Sequence, residues 1–324
     1  MASPQDRVFT TSPAQLASSA GPRKHRRRID PKIWWAYAFI SPVLIFLLVF
    51  SVVPIFFSFW VSLHSWNLIT PIPEMPFVGV DNYTRILLYD DVFRRALVNT
   101  FVFAFWGVTF NLVLGLAGAL LLNSRIRWRP LWSTFFFLPI VTAPLALGMM
   151  WTALLNKNFG LVNALLGSIG IPPQPFLSSP EQALGCIIFM AIYQYVGYYV
   201  VVFLAGLQGI PQDYYDAAAV DGANARQSFW YVTLPLLRPV MLFLVVTNTI
   251  GALQVFDLVF AATTGGAETS GGGPANSTMV VVLHMYNTAF KFFRMGRASA
   301  MAMVLFVVIF VITLVQLWLL RHRE

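Results

Sequence analysis

Apolar residues along this chain run on in long blocks instead of recurring at the spacing of one buried helix face or strand face. Six blocks, at about 35–62, 97–123, 131–154, 183–207, 239–262 and 298–320, reach the roughly 18-residue length of a membrane-spanning helix. They predict an all-α integral membrane protein with six transmembrane helices. Pro42 and Pro54 fall inside the first block and predict kinks there. A seventh uncharged stretch, Asn158 to Pro180, carries three glycines and four prolines and reads as a loop with one short amphipathic turn. The first block is too long for a cleavable leader and follows some thirty polar residues. Residues 1–22, rich in Ser, Ala, Gln and Pro, read as disordered.

Polar segments divide the chain into a basic tail (1–32), a first span (33–63), a loop (64–96), spans two to five with a loop at 208–238 (97–262), a second long loop (263–297), and a last span with a short end (298–324). Fourteen of the 21 Lys and Arg residues lie in the tail, in segments 124–130 and 208–238, and at the C-terminus; the alternate loops hold seven. The positive-inside rule then predicts cytoplasmic termini, a cytoplasmic 208–238 loop, and external 64–96 and 263–297 loops.

Composition sharpens this reading. The chain is 58% hydrophobic and only 10% charged, against about 25% charge in a soluble domain. The net charge of +8 does not point to nucleic acid, because six basic residues cluster between Arg23 and Lys32, directly before the first span. Such a cluster anchors to anionic lipid. One cysteine, Cys186, allows neither a disulfide framework nor a thiolate metal site. The four histidines are scattered, no H-E-x-x-H occurs, and no metal site or catalytic residue is expected. The sequons at Asn82 and Asn276 read as chance.

The polar stretch GIPQDYYDAAAVDGANARQSFWYVTLPLLRP, Gly209 to Pro239, interrupts the oily blocks. Pro211 suits a first helical position, and Asp213 and Asp216 favour the positive end of the helix dipole. Ala217, Ala218 and Ala219 are strong helix formers. Asp221-Gly222 signals a turn, and Gly222 supplies a backbone conformation that other residues adopt reluctantly. A second helix, about Ala223 to Val232, would present Phe229 and Val232 to the membrane interface, and Leu234-Pro235 would mark the break before the fifth span. Three methyl-only side chains in a row suit a helix that another protein grips closely; an ordinary connecting loop fits the same residues.

DAAAVDGANARQSFWYVTLPLLRP resembles the EAA loop of permease subunits from binding-protein-dependent type I ABC importers. The pattern is E-A-A, three residues, G, then an apolar-aromatic helix ending in L-P. Ala217, Ala218, Gly222, Leu234 and Pro235 fall in register, with Asp216 in place of the usual Glu. SPVLIFLLVFSVVPIFFSFWVSLHSW, FVGVDNYTRIL, GGGPANST and YNTAF look like carbohydrate-uptake members, whereas the basic tail and the stretched TTGGAETSGGG loop match no family pattern. The resemblance implies that Asp216, Ala217, Ala218, Asp221, Gly222, Ala223, Leu234 and Pro235 form a coupling helix and its turn, seated in a cytoplasmic ATPase subunit. It implies as partners a second homologous permease, two copies of the ATPase subunit and an external solute-binding protein, in a bacterial inner membrane. The external loops would meet that binding protein. No G-x-x-x-x-G-K-[ST] occurs, so the chain is expected to be no enzyme and to bind no cofactor, with ATP and Mg on the partner subunits.

Polar groups inside spans are costly in lipid and are candidate pathway residues. Gln194 and Tyr198 lie one turn apart in the fourth span, and Asn248, Gln254 and Asp257 lie in the fifth. Rings with amide and carboxylate groups suit a sugar or similar polyhydroxylated solute. Plainer roles compete: Tyr195 and Tyr199 as an interfacial belt, and Asn248 as an interhelical hydrogen-bond donor. Gly107, Asn111, Gly115 and Ala119 form a small-residue stripe for helix packing within the chain. An ion-coupled secondary transporter is the alternative, but it would need more titratable groups than the one deep carboxylate, Asp257. A membrane enzyme would need paired carboxylates or a metal cluster, and neither is found.

Overall fold

The computed structural model describes residues 31–124, 127–264 and 271–321. The disorder expected of 1–22, the Arg23–Lys32 cluster except its last residues, and much of the TTGGAETSGGG loop lie outside the described residues. Two compact units divide at Pro54. In the first, α1 (Pro31–Leu47) passes into a π-helical turn, Leu48–Val52. α2 (Val53–Ser62) follows and carries the chain into the second unit. Pro54 has no N–H to continue the α-helical ladder, and Val53 N–H bonds instead to the Leu48 carbonyl, five residues back. The expected irregularity at Pro54 is thus a π turn. Tyr37–Ser62 is long and apolar enough to cross a membrane.

Beyond α2, the second unit holds short α3 (Asp81–Thr84) and a π turn, Arg85–Tyr89, and continues into α4 (Asp91–Asn123). The Asp90 carboxylate caps α4 by accepting from Phe93 N–H at 2.9 Å. The helix therefore starts six residues before the expected boundary at 97. Its 33 residues would span about 50 Å, more than the roughly 30 Å hydrocarbon core. Buried Phe93, Ala96, Phe103, Gly107, Asn111 and Gly115 follow helical spacing and mark the inward face of α4.

The expected span 131–154 is broken. α5 (Arg129–Val141) and α6 (Pro144–Leu154) meet at a 97° bend. Pro144 forces the preceding residue out of helical geometry, and Thr142 and Ala143 both have ψ near 130° (131° and 132°). The Asn158–Pro180 stretch holds one helix, α7 (Leu161–Ser168). α8 (Ala183–Gln208) packs along α4.

After α8 come α9 (Gln212–Val220), α10 (Ala225–Ser228), a π turn at Phe229–Thr233 and α11 (Leu234–Leu236). α12 (Arg238–Leu253) leaves this segment at a 59° bend. The expected continuous span 239–262 instead stops at Leu253, and α13 (Asp257–Thr264) is a separate helix. Among the described residues, four helices are individually long and apolar enough to cross a membrane, and two bent pairs bring the number to as many as six. α14 (Val281–Tyr286) folds the expected 263–297 loop into a helical hairpin before α15 (Met295–Arg321). The 64–96 loop is likewise folded: buried Asn82 donates to the carbonyls of Ser62 and His64 at 2.8 and 2.9 Å.

Two apolar clusters hold the second unit together. One gathers Phe93, Phe103, Ile187, Leu258, Leu283 and Met301. The other gathers Ala119, Tyr199, Phe203, Leu207, Leu237 and Leu244. Along α4 the first cluster ends at Phe103 and the second begins at Leu112; along α12 the gap falls between Leu244 and Ala252.

Candidate functional sites

The gap between the clusters is a cavity of about 240 Å³. α4 contributes Gly107 and Asn111, α8 contributes Tyr195 and Tyr199, and α12 contributes Thr247, Asn248 and Gly251. Pro144 at the start of α6 and Asp257 at the start of α13 also line it. Both helix breaks thus open on the cavity, and two helix N-termini bring their positive dipole ends to its wall. Asp257 stands at one of them, where the dipole favours its charge.

Three of the five expected pathway residues, Asn248, Gln254 and Asp257, come together here. Asn248 donates to the Leu244 carbonyl at 2.8 Å, leaving its oxygen available to the cavity. Gln194 and Tyr198 do not line the cavity. Gln194, 1% exposed, donates to the Thr142 carbonyl at 3.2 Å, at the bend between α5 and α6. Tyr198 packs against the second cluster. Tyr195 and Tyr199, considered above as an interfacial belt, line the cavity, as does Asn111. Asn111 is 4% exposed; its nitrogen bonds to the Gly107 carbonyl and its Oδ1 has no protein partner. The stripe Gly107, Asn111, Gly115 and Ala119 therefore divides between two tasks. Gly115 meets Tyr199 in the helix contact, whereas Gly107 faces open space.

The 208–238 segment forms two short helices around a tight turn. Pro211 is the residue before α9, not its first turn as expected, and Asp213 lies in that first turn. Gly222 has φ +79°. Its N–H bonds to the Ala219 carbonyl at 3.1 Å, and Ala223 N–H bonds to the Ala218 carbonyl at 2.9 Å. These two bonds are a Schellman termination, which the left-handed glycine makes possible. Asn224 then caps α10 through a reciprocal box with Gln227, at 2.8 and 2.9 Å. The expected second helix at 223–232 therefore starts at Ala225, and its later part is a π turn. The Asn-x-x-Gln spacing carried that signal in the sequence.

Asp216, Ala217, Asp221 and Gly222 are exposed, and Ala218 and Ala223 are half-buried. Val220, beside them, is 89% exposed. Asp216 accepts from Gln212 at 3.2 Å within α9 and otherwise faces outward. Tyr215 turns inward, its hydroxyl 3.1 Å from Thr233 Oγ1, tying α9 to the π turn. Leu234 and Pro235 lie at the far end of the segment, in α11. The break before α12 falls at Leu237, two residues beyond Pro235.

Residues 111–323 match the family model of the binding-protein-dependent transport system inner membrane component. The chain belongs to this family. The trehalose/maltose transport system permease protein MalF of Thermococcus litoralis is 35% identical over 291 residues, covering 89% of this chain and 94% of the relative. The lactose transport system permease protein LacF of Rhizobium radiobacter is 33% identical over 303 residues, covering 92% and 97%. The fold is also that of a chain in a bacterial ABC transporter involved in the import of the acidic polysaccharide alginate. That match has a TM-score of 0.76 at 23% identity and covers 90% of this chain and 97% of the other. The chain is thus an integral membrane permease component, and the two sites described above lie within a fold shared by permeases of ABC importers.

Proposed function

We propose that this permease, with a second homologous permease, forms the membrane pathway for a sugar or related polyhydroxylated solute delivered by an external binding protein. Two copies of an ATPase subunit would hydrolyse ATP with Mg on the cytoplasmic side. The observation that carries this reading is the exposed α9–Gly222–α10 turn, which offers Asp216, Ala217, Ala218, Asp221 and Ala223 as a compact plug for an ATPase cleft. Leu234 and Pro235 then join that plug to the bend below α12. Both termini and the plug lie in the cytoplasm, an orientation supported by the two-to-one distribution of Lys and Arg.

A sugar as solute is supported by the named cargoes of the relatives and by the chemistry of the cavity. Tyr195 and Tyr199 offer ring faces to sugar C–H groups, while Asn111, Asn248, Gln254 and Asp257 offer hydrogen-bonding groups to hydroxyls. Gln194 acts on the pathway from outside the cavity, by holding the α5–α6 bend.

The test is the ATPase activity of the purified complex in lipid nanodiscs, with its binding protein, across a panel of sugars and glycerophosphodiesters. Stimulation by one class is expected. Asp216→Ala is expected to leave the complex assembled but remove that stimulation and transport together. Normal stimulated ATPase and transport in the variant would show that α9 is not the lever.

A further inference from the structure

The two segments expected on the external side meet in the fold. Residues of α3, the π turn after it and the start of α4 come from one; Arg294, just before α15, and Arg297, in its first turn, come from the other. They enclose an open depression of about 700 Å³ lined by Asp81, Arg85, Asp90, Asp91, Arg294 and Arg297. The closing segment is pinned in place by Met295 N–H, which bonds to the Trp66 carbonyl at 2.8 Å.

The acids in this depression are already engaged. Asp81 pairs with Arg85 at 2.5 Å, and Asp91 pairs with Arg94. Asp90 uses one oxygen to cap α4 and the other to bond His284 Nε2 at 3.0 Å. Among the described residues, no carboxylate lies within ion-pair distance of Arg294 or Arg297. Arg294 is exposed and Arg297 is half-buried. Two guanidinium groups therefore face an open depression whose carboxylates make their ion pairs and hydrogen bonds with other residues, while Asp81 and Asp90 act on Arg297 only through charge at longer range.

We propose that Arg294 and Arg297 receive an acidic side chain of the external solute-binding protein. The proposal rests on the importer reading and on its orientation of the loops. Each guanidinium presents a fork of parallel N–H donors that matches a carboxylate in geometry as well as in charge. The alternation of sign around the depression favours a protein over a lipid surface. Asp81, Asp90 and Asp91 repel a uniformly anionic headgroup layer, whereas a protein face carrying both signs complements both. Contacts of this kind steer encounter and fix orientation as well as adding affinity. This one sets the binding protein against the start of α15 and the cap of α4 together, so that docking bears on two long helices.

The experiment measures the affinity of the solute-binding protein from the same transport system for the assembled complex in nanodiscs, at low and high salt. Wild type is compared with Arg294→Gln/Arg297→Gln and with Arg294→Glu/Arg297→Glu. Neutralisation should weaken binding on the order of tenfold at low salt and flatten the salt dependence, and reversal should weaken it further. If the double variants fail to assemble, the single Arg294→Gln change at the exposed position should show the flattened salt dependence. Wild-type affinity and salt dependence in assembled variants would overturn the proposal. So would unchanged binding-protein affinity with loss of phosphatidylglycerol from the nanodisc shell, which would assign the arginines to lipid. A wild-type complex that binds no binding protein would remove the importer reading as well.

Discussion

Gly107 and Gly115 lie two turns apart on one face of α4, and the structure predicts opposite outcomes when each becomes alanine. A Cβ on Gly115 would run into the Tyr199 Cβ, with the Tyr199 carbonyl carbon and Cα at 3.3 and 3.4 Å. None of these atoms can move by a rotamer change, so α8 itself has to shift. A Cβ on Gly107 meets nothing within 4 Å. Both variants gain the same intrinsic helix preference of up to about 1 kcal/mol, which cancels when they are compared. What remains is the overlap at Gly115, about 1–3 kcal/mol for forced overpacking. Thermal unfolding of the detergent-solubilised permease should place Gly115→Ala below Gly107→Ala by that amount. Because Tyr199 also lines the cavity, Gly115→Ala should lower transport too. Equal melting of the two variants would refute the argument that α4 and α8 touch at Gly115 and part at Gly107.

Two further outcomes follow from local geometry. At Gly222, with φ +79° and open space around it, valine should lose about 1–2 kcal/mol of turn stability through backbone strain alone. Asparagine, which tolerates the left-handed region, should retain most binding-protein-stimulated ATPase where valine does not; equal activity of the two would show that the turn is unstrained. At Asp90, partial burial pushes the carboxyl upward, but the hydrogen bond to His284, the Phe93 N–H and the His284 charge outweigh it and hold the group below its ordinary value of 3.8. A depressed carboxylate contributes stability above its unfolded pKa and loses it as pH falls through the folded one. The melting advantage of wild type over Asp90→Asn should therefore be full above about pH 4 and shrink below 3.8, and an advantage independent of pH would contradict it.

Hydropathy made the apolar blocks legible because length and composition alone decide whether a helix can cross lipid. The same measure could not see where helices stop. Val141 and Leu145 are as oily as their neighbours, so the 97° bend between them is written only in Pro144 and its effect on the two residues before it. α4 was expected six residues too short because its polar first turn, Asp91 to Arg95, falls below an apolar threshold while still continuing a capped helix. The α9–α10 segment was legible in most respects, since Gly222 and the alanine run are local signals. The cavity was half legible. Polar residues in oily blocks flagged Asn248, Gln254 and Asp257, but Gln194 carries the same signal and serves a helix bend instead. Asn111 was hidden among glycines, where a short amide reads as one more small packing residue.

The gap between the two apolar clusters has a mechanical meaning. Close-packed side chains transmit strain with little compression, so each cluster responds to a push as a nearly incompressible block. The cavity is the compliant layer between them. Leu207 and Leu237, which bracket the α9–α11 segment, both belong to the second cluster. A force applied at α9 therefore enters that block first and is spent where filler is missing, on the walls that carry Asn111, Tyr199 and Asn248. The gap that leaves the cavity open is also the joint at which the molecule would yield.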